Sequence, residues 1–227
     1  MNEKGCSRYS RIAELEHLNL LSGDLQIECP IKAKNLVADA QKAKLKEKKN
    51  LRSLTLSWKG YHSEVDTLLE SLLPPQNLQV LNIDGYMGTK FSSWMMNKIE
   101  SWLPNLVHLT LSNVHICDCL PPLGQLPALQ SLELRYMSGL RYMDTESYVI
   151  CGDRFIPYPS LKELHFENIP DLEEWPTAVI VDNGGGRREV FIFTSLKTLT
   201  AFGCPKLKPK PCLPASSSSY IHFQFLC

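Results

Sequence analysis

One phrase recurs along this chain and constrains its fold more than any other feature. Leu51-x-x-Leu54-x-Leu56, Leu78-x-x-Leu81-x-Ile83, Leu106-x-x-Leu109-x-Leu111, Leu129-x-x-Leu132-x-Leu134 and Leu161-x-x-Leu164-x-Phe166 share it. Leu196-x-x-Leu199-x-Ala201 is a weaker copy, and a degenerate unit around Leu25 and Ile27 precedes them all. The last two anchors of each phrase stand two residues apart, so they share one face of an extended strand. From first leucine to first leucine, the intervals are 27, 28, 23, 32 and 35 residues.

A leucine-rich repeat combines this phrase with a period of roughly 20–29 residues, so the first three intervals fit and the last two imply insertions. A single unit cannot bury its apolar edge. Stacked in register, the units share one parallel sheet and one continuous core. The expected fold class is therefore α/β: a leucine-rich-repeat solenoid, or horseshoe, with a concave parallel β-sheet and an irregular, partly helical convex side. Ordinary buried strands of a globular protein are the competing reading, which six copies of one spacing disfavour. The repeat domain is expected over 1–208, as about six to seven irregular repeats. Residues 209–227, rich in Lys, Pro and Ser before a final Tyr-Ile-His-Phe-Gln-Phe-Leu-Cys, are expected to be a disordered tail.

Between the strands, the convex side is legible in parts. Ile12, Leu15 and Leu18 have helical spacing, and Pro30 opens a helix expected through Lys49 with Leu36, Ala40, Ala43 and Leu45 inward. Its seven lysines are read as a solvated face, because no aromatic residues interleave with them. Ser63-x-x-Asp66 resembles a capping box ahead of the stripe Val65, Leu68, Leu69 and Leu72, which Pro74-Pro75 closes. Trp94, Met95, Met96, Ile99 and Trp102 read as helix-to-sheet core. Irregular insertions are expected over 144–159 and 176–188, the second mobile around Gly184-Gly185-Gly186.

Bulk properties exclude several classes. Lys plus Arg equals Asp plus Glu at 24 each, so the net charge calls for neither nucleic acid nor a membrane surface. No run approaches membrane-spanning length, and residues 1–19 lack the apolar core of a signal peptide. The eight cysteines follow no disulfide-scaffold rhythm, and no N-x-[ST] sequon occurs. These features point to reduced thiols and an intracellular setting, cytoplasmic with the nucleus also open.

Catalytic chemistry finds little support. The triple glycine runs into Arg187-Arg188 rather than the Lys-Ser/Thr of a phosphate loop. His115-Ile-Cys117-Asp-Cys119 offers zinc-type donors, but one residue between the cysteines strains a shared tetrahedral metal, so free thiols are expected. No G-x-S-x-G elbow is present, and Glu173-Glu174 reads as a solvated turn. No catalytic, metal or cofactor residues are assigned.

The informative surface lies on the other side of each strand. If Leu54 and Leu56 point inward, Ser53, Thr55 and Ser57 point outward. The same alternation exposes Asn82 and Asp84, then His108 and Thr110, then Ser131, Glu133 and Arg135. It continues through Glu163, His165 and Glu167 to Thr198 and Thr200. A regular, rigid, mostly polar array suits recognition of a protein surface, and these are the candidate contact residues.

Four phrases now share a likeness: LKEKKNLRSLTLSW (45–58), LPPLGQLPALQSLEL (120–134), PSLKELHFENIPDLEEW (159–175) and SLKTLTAFGCPKLK (195–208). Together they resemble the repeat region of plant intracellular disease-resistance proteins, the coiled-coil class of nucleotide-binding leucine-rich-repeat (NLR) receptors. The resemblance covers about residues 12–208. It implies a non-enzymatic module that recognises a pathogen effector or guarded host protein and restrains a nucleotide switch in defence. It also implies that ADP or ATP belongs to a nucleotide-binding domain absent from this chain, to which the repeats are expected to dock. An F-box-type ubiquitin-ligase adaptor is the alternative, but it requires an F-box segment ahead of the repeats, where too few residues stand. An extracellular receptor would favour N-x-L-x-G-x-I-P turns, which are missing.

Overall fold

The computed structural model describes residues 11–30, 35–61, 63–143, 157–174, 178–182, 187–191, 193–208 and 222–226. Its strands are β1 (Ser22–Cys29), β2 (Asn50–Trp58), β3 (Val80–Asp84), β4 (His108–Ser112), β5 (Ser131–Arg135), β6 (Glu163–Glu167), β7 (Ala178–Asp182), β8 (Arg187–Phe191), β9 (Thr198–Phe202) and β10 (His222–Leu226). The helices are α1 (Leu36–Ala43), α2 (Val65–Ser71), α3 (Ser93–Met96) and α4 (Ile99–Trp102), with 3-10 turns at Ile12–His17, Leu45–Glu47 and Leu123–Gln125.

Among the described residues, eight strands form one sheet in the order β1-β2-β3-β4-β5-β6-β9-β10. Every neighbouring pair in it is parallel. The repeat phrase sets the register. Leu54, Leu81, Leu109, Leu132, Leu164 and Leu199 are consecutive partners, as are Leu56, Ile83, Leu111, Leu134, Phe166 and Ala201. All twelve are buried in one continuous core, together with the leading leucines Leu51, Leu78, Leu106, Leu129, Leu161 and Leu196. Sliding one strand by a residue would turn its leucines to solvent, so burial pins the register.

The turns out of β3, β4, β5, β6 and β9 are equally regular. Gly85, Asn113, Tyr136, Asn168 and Gly203 each follow a strand and each takes a left-handed φ between 52° and 70°. The N–H groups of the first four donate to the last strand carbonyl of the next repeat, at 2.8–3.0 Å. At Gly85 the left-handed φ is joined by crowding, since a Cβ would stand 2.5 Å from the Trp58 carbonyl oxygen. The next residue, Tyr86, Val114, Met137 or Ile169, then drops into the core with no exposure.

On the convex side, the inward residues of α1 and α2 are those that periodicity selects, and Leu36, Ala40, Ala43, Val65, Leu68, Leu69 and Leu72 are buried. Three readings are corrected there. The helix expected from Pro30 to Lys49 is two pieces, α1 and the 3-10 turn at 45–47, separated by Lys44 in a left-handed conformation. Lys48, assigned to a solvated face, is fully buried with its ammonium donating to Asn19 Oδ1 at 3.2 Å, and burial lowers its pKa. The Ser63–Asp66 capping box does not form either: α2 begins at Val65, its N-cap is Glu64 rather than Ser63, and no side chain caps it. Asp66 instead accepts from the Tyr86 hydroxyl at 2.8 Å. Trp94, Met95 and Ile99 are buried as expected, with the Trp94 indole N–H donating to the Leu69 carbonyl at 3.1 Å.

The insertions behave differently from the repeats. Most of 144–159 lies outside the described residues. The segment over 176–188, expected to be irregular, contains β7 and the first two residues of an antiparallel partner, β8, in register from Ala178↔Phe191 to Asp182↔Arg187, while Gly184-Gly185-Gly186, expected to be mobile, lies outside the described residues. Its apolar β-branched run Val179-Ile180-Val181 supplies the strand propensity that the triple glycine obscures. Within the tail expected to be disordered, residues 222–226 form β10 and continue the sheet beyond β9. Phe223 and Phe225 stand in register with Leu199 and Ala201. The rest of that tail, 209–221 and 227, lies outside the described residues.

Candidate protein-recognition face

Three outward rows cross the sheet opposite the leucine ladders. One runs Asp24, Ser53, Val80, His108, Ser131, Glu163 and Thr198. The second runs Gln26, Thr55, Asn82, Thr110, Glu133, His165 and Thr200. The third runs Glu28, Ser57, Asp84, Ser112, Arg135, Glu167 and Phe202. All fifteen residues selected from the alternation therefore sit in these rows. Two are not accessible as expected: Ser57 is 4% and Ser131 8% exposed.

Across β2, β3 and β4 the face is mostly uncharged, with Asp84 as its one carboxylate, and is bonded to itself. Asn82 Nδ2 donates to Thr55 Oγ1 at 3.1 Å. Asp84 is held by the Ser112 hydroxyl at 2.6 Å and by Asn113 Nδ2 at 2.7 Å. Ser57 is buried beside it, and its hydroxyl has no hydrogen-bond partner.

The second half carries a charged network. Arg135 lies 2.7 Å from Glu133 and 3.5 Å from Glu167 across the strand gap. His165 Nε2 approaches the same Glu167 oxygen at 3.6 Å, and its Nδ1 is bonded to the Thr200 hydroxyl. Tyr136 donates its hydroxyl to the other Glu167 oxygen at 2.8 Å. That bond above all holds the Glu167 carboxyl below its ordinary pKa; Arg135 and His165 add to the effect, and partial burial opposes it.

Tyr136 and the outward residues of β1 were not among the selected positions. Asp24, Gln26 and Glu28 alternate with Leu25 and Ile27, so the same period-2 rule applied to the degenerate first unit finds them. Tyr136 carries a subtler signal. It occupies the position that the other repeats give to glycine or asparagine, and a bulky residue there costs roughly 1–2 kcal/mol. Its ring is 41% exposed, as is that of Phe202.

The thiol and imidazole cluster considered for zinc does not converge. Cys117 is buried, its Sγ bonded to the Gly88 carbonyl at 3.2 Å, and burial foremost pushes its pKa up to about 12. Cys119 is exposed, and His115 pairs with Ser138 Oγ at 3.3 Å. Among the described residues, no group of three His, Cys, Asp or Glu side chains is arranged to hold a metal ion. No helix described is long and apolar enough to cross a membrane.

An open parallel sheet with a buried leucine ladder, repeated left-handed exits and a polar concave face defines a leucine-rich-repeat solenoid. Residues 12–137 match the family described as R13L1/DRL21 LRRs, and the chain belongs to that family. The disease resistance protein RGA2 of Solanum bulbocastanum is 37% identical over 172 residues, covering 72% of this chain and 17% of the relative. RPP13-like protein 1 of Arabidopsis thaliana, which also bears a disease-resistance name, is 33% identical over 216 residues, covering 87% of this chain and 19% of the relative. RGA1 of Solanum bulbocastanum is 34% identical over 202 residues, 86% of this chain and 18% of its own length. The chain thus spans under a fifth of the length of these relatives. No solved structure matches it. The repeat region of a plant NLR disease-resistance protein, anticipated from the four phrases, is what the family and the relatives identify.

Proposed function

We propose that this chain is a non-enzymatic recognition module of a plant intracellular immune receptor, acting in the cytoplasm. It recognises a pathogen effector or a guarded host protein, and it restrains a nucleotide switch that lies in a separate domain. The observation that supports this reading is the continuous outward array on a rigid sheet, in a chain whose relatives bear disease-resistance names. Stacked repeats fix side chains relative to one another over several strands, which lowers the ordering cost of binding a large partner surface. No step of this role needs a reacting group on the face. ADP and ATP belong to the nucleotide-binding domain of such receptors.

Co-expression with the nucleotide-binding part of a related receptor tests the restraint. The expected result is co-purification that weakens when Glu133 and Glu163 are both changed to Lys, with no ADP or ATP bound by this chain in calorimetry. Clean failure to co-purify counts against the restraint, and micromolar nucleotide binding by this chain alone would overturn the non-enzymatic reading.

A further inference from the structure

We infer that the concave face docks an extended protein segment rich in arginine or lysine, seated across β5, β6 and β9. This rests on the recognition reading above and names the chemistry of its partner. The chain as a whole is balanced, with 24 cationic and 24 acidic residues, yet the three outward rows from β1 to β9 are not. They hold six carboxylates (Asp24, Glu28, Asp84, Glu133, Glu163 and Glu167) against one guanidinium, that of Arg135. The balancing cations lie elsewhere: Lys42, Lys44, Lys46 and Lys49 are exposed on and after α1. Those nearest the seat are already engaged. Lys162, one residue ahead of β6, donates to Gln130 Oε1 at 2.9 Å, while Lys206 and Lys208 pair with Asp171 and Glu174 at 2.6 and 3.9 Å. Lys197, one residue ahead of β9, is exposed at the rim.

Two further observations, independent of the acids, mark the same face. Tyr136 and Phe202 expose their rings at the exit ends of β5 and β9, flanking the Glu167 carboxylate between them in strand order. A guanidinium can stack on such a ring while pairing with the adjacent carboxylate, a combination that ammonium groups match less well. Farther along the third row, on β2 and outside the seat itself, Ser57 is 4% exposed and has a hydroxyl with no hydrogen-bond partner. Polyphosphate and anionic lipid are disfavoured by the sign of the face, since both would meet carboxylates.

The probe is a fluorescein-labelled peptide of about twelve residues alternating Arg and Ser, with a Glu/Ser counterpart, titrated with the full chain and read by anisotropy. The Arg peptide is expected to bind, to weaken about tenfold between low and high salt, and to outcompete the Glu peptide. Glu133→Gln with Glu163→Gln should weaken it about fivefold or more. Tyr136→Asn puts a residue favoured in the left-handed region at that turn. It should hold or raise the thermal midpoint while weakening binding about threefold, an opposition that a merely structural tyrosine would not produce. Equal binding of the two peptides, or unchanged affinity in the double Gln variant, overturns the inference. If the Arg peptide fails to bind while the nucleotide-binding part of a related receptor still co-purifies, the cationic seat falls and the recognition reading stands.

Discussion

Across β2, β3 and β4 the outward side chains are short, and most hydrogen bonds among them close on the chain itself: Asn82 on Thr55, and Ser112 and Asn113 on Asp84. Across β5, β6 and β9 they are longer, charged and half-exposed, with Arg135, Glu133, Glu167, His165 and Tyr136 in one network. The inward side does not change between the two halves. Leu54, Leu81 and Leu109 continue without a break into Leu132, Leu164 and Leu199. One ladder therefore serves two kinds of surface, and the outward positions can vary in chemistry without disturbing the register. The insertions fall in the second half as well, between β5 and β6 and between β6 and β9, where the face is most charged.

The largest effect is expected from breaking what the halves share. Leu132→Asp places a carboxylate in the middle of the buried ladder and should cost about 4 kcal/mol or more, melting several units together in far-UV circular dichroism. Ser53→Lys, half-buried and outward on the same sheet, should stay within about 0.5 kcal/mol. Comparable losses from both would mean that the two faces are not energetically distinct. Gly85→Ala comes next. Its φ of 70° and the 2.5 Å approach of the Trp58 carbonyl predict a loss of about 2 kcal/mol in chemical denaturation, and a variant as stable as the parent would show that the strand exit relaxes freely.

Tyr136→Asn sharpens the contrast between halves. It adopts the choice made at Asn113 and Asn168, and should be neutral or stabilising by up to about 1 kcal/mol, even though the bond to Glu167 is lost. A loss of more than about 1 kcal/mol would make Tyr136 a structural residue. The smallest effect concerns pH. Glu167 has a folded pKa below its unfolded value, so its contribution to stability is present above the unfolded pKa and fades as pH falls through the folded one. Tyr136→Phe removes the principal donor, which should raise the Glu167 pKa in an NMR titration, shrink this contribution and complete its acid-side loss at a higher pH. An unmoved titration would assign the depression to Arg135 and His165 instead.

The sequence made the inner face legible because burial admits few residue types and repeats them at a fixed interval. Leu51 to Leu199 could be placed without coordinates, and with them, by strict alternation, the outward rows. It was less informative where a local signal competes with tertiary context. Asp66 reads as a cap but is taken by Tyr86; Lys48 reads as a solvated lysine but is buried with its ammonium on Asn19. Ser57 and Ser131 read as outward and are, yet both are buried. Alternation also says which way a side chain points, not whether it is already engaged, so the pairing of Glu133, Arg135 and Glu167 and the strained position of Tyr136 needed the fold.

Hydroxyl-radical footprinting of the full chain, alone and bound to the nucleotide-binding part of a related receptor, tests the central claim most directly. Protection of Tyr136, His165 and Phe202, with Met96 and Trp102 on the convex side unchanged, is the result that recognition through the concave face predicts. Protection confined to Met96, Trp102 and the surface of α1, with Tyr136 and Phe202 as reactive as in the free chain, would contradict it.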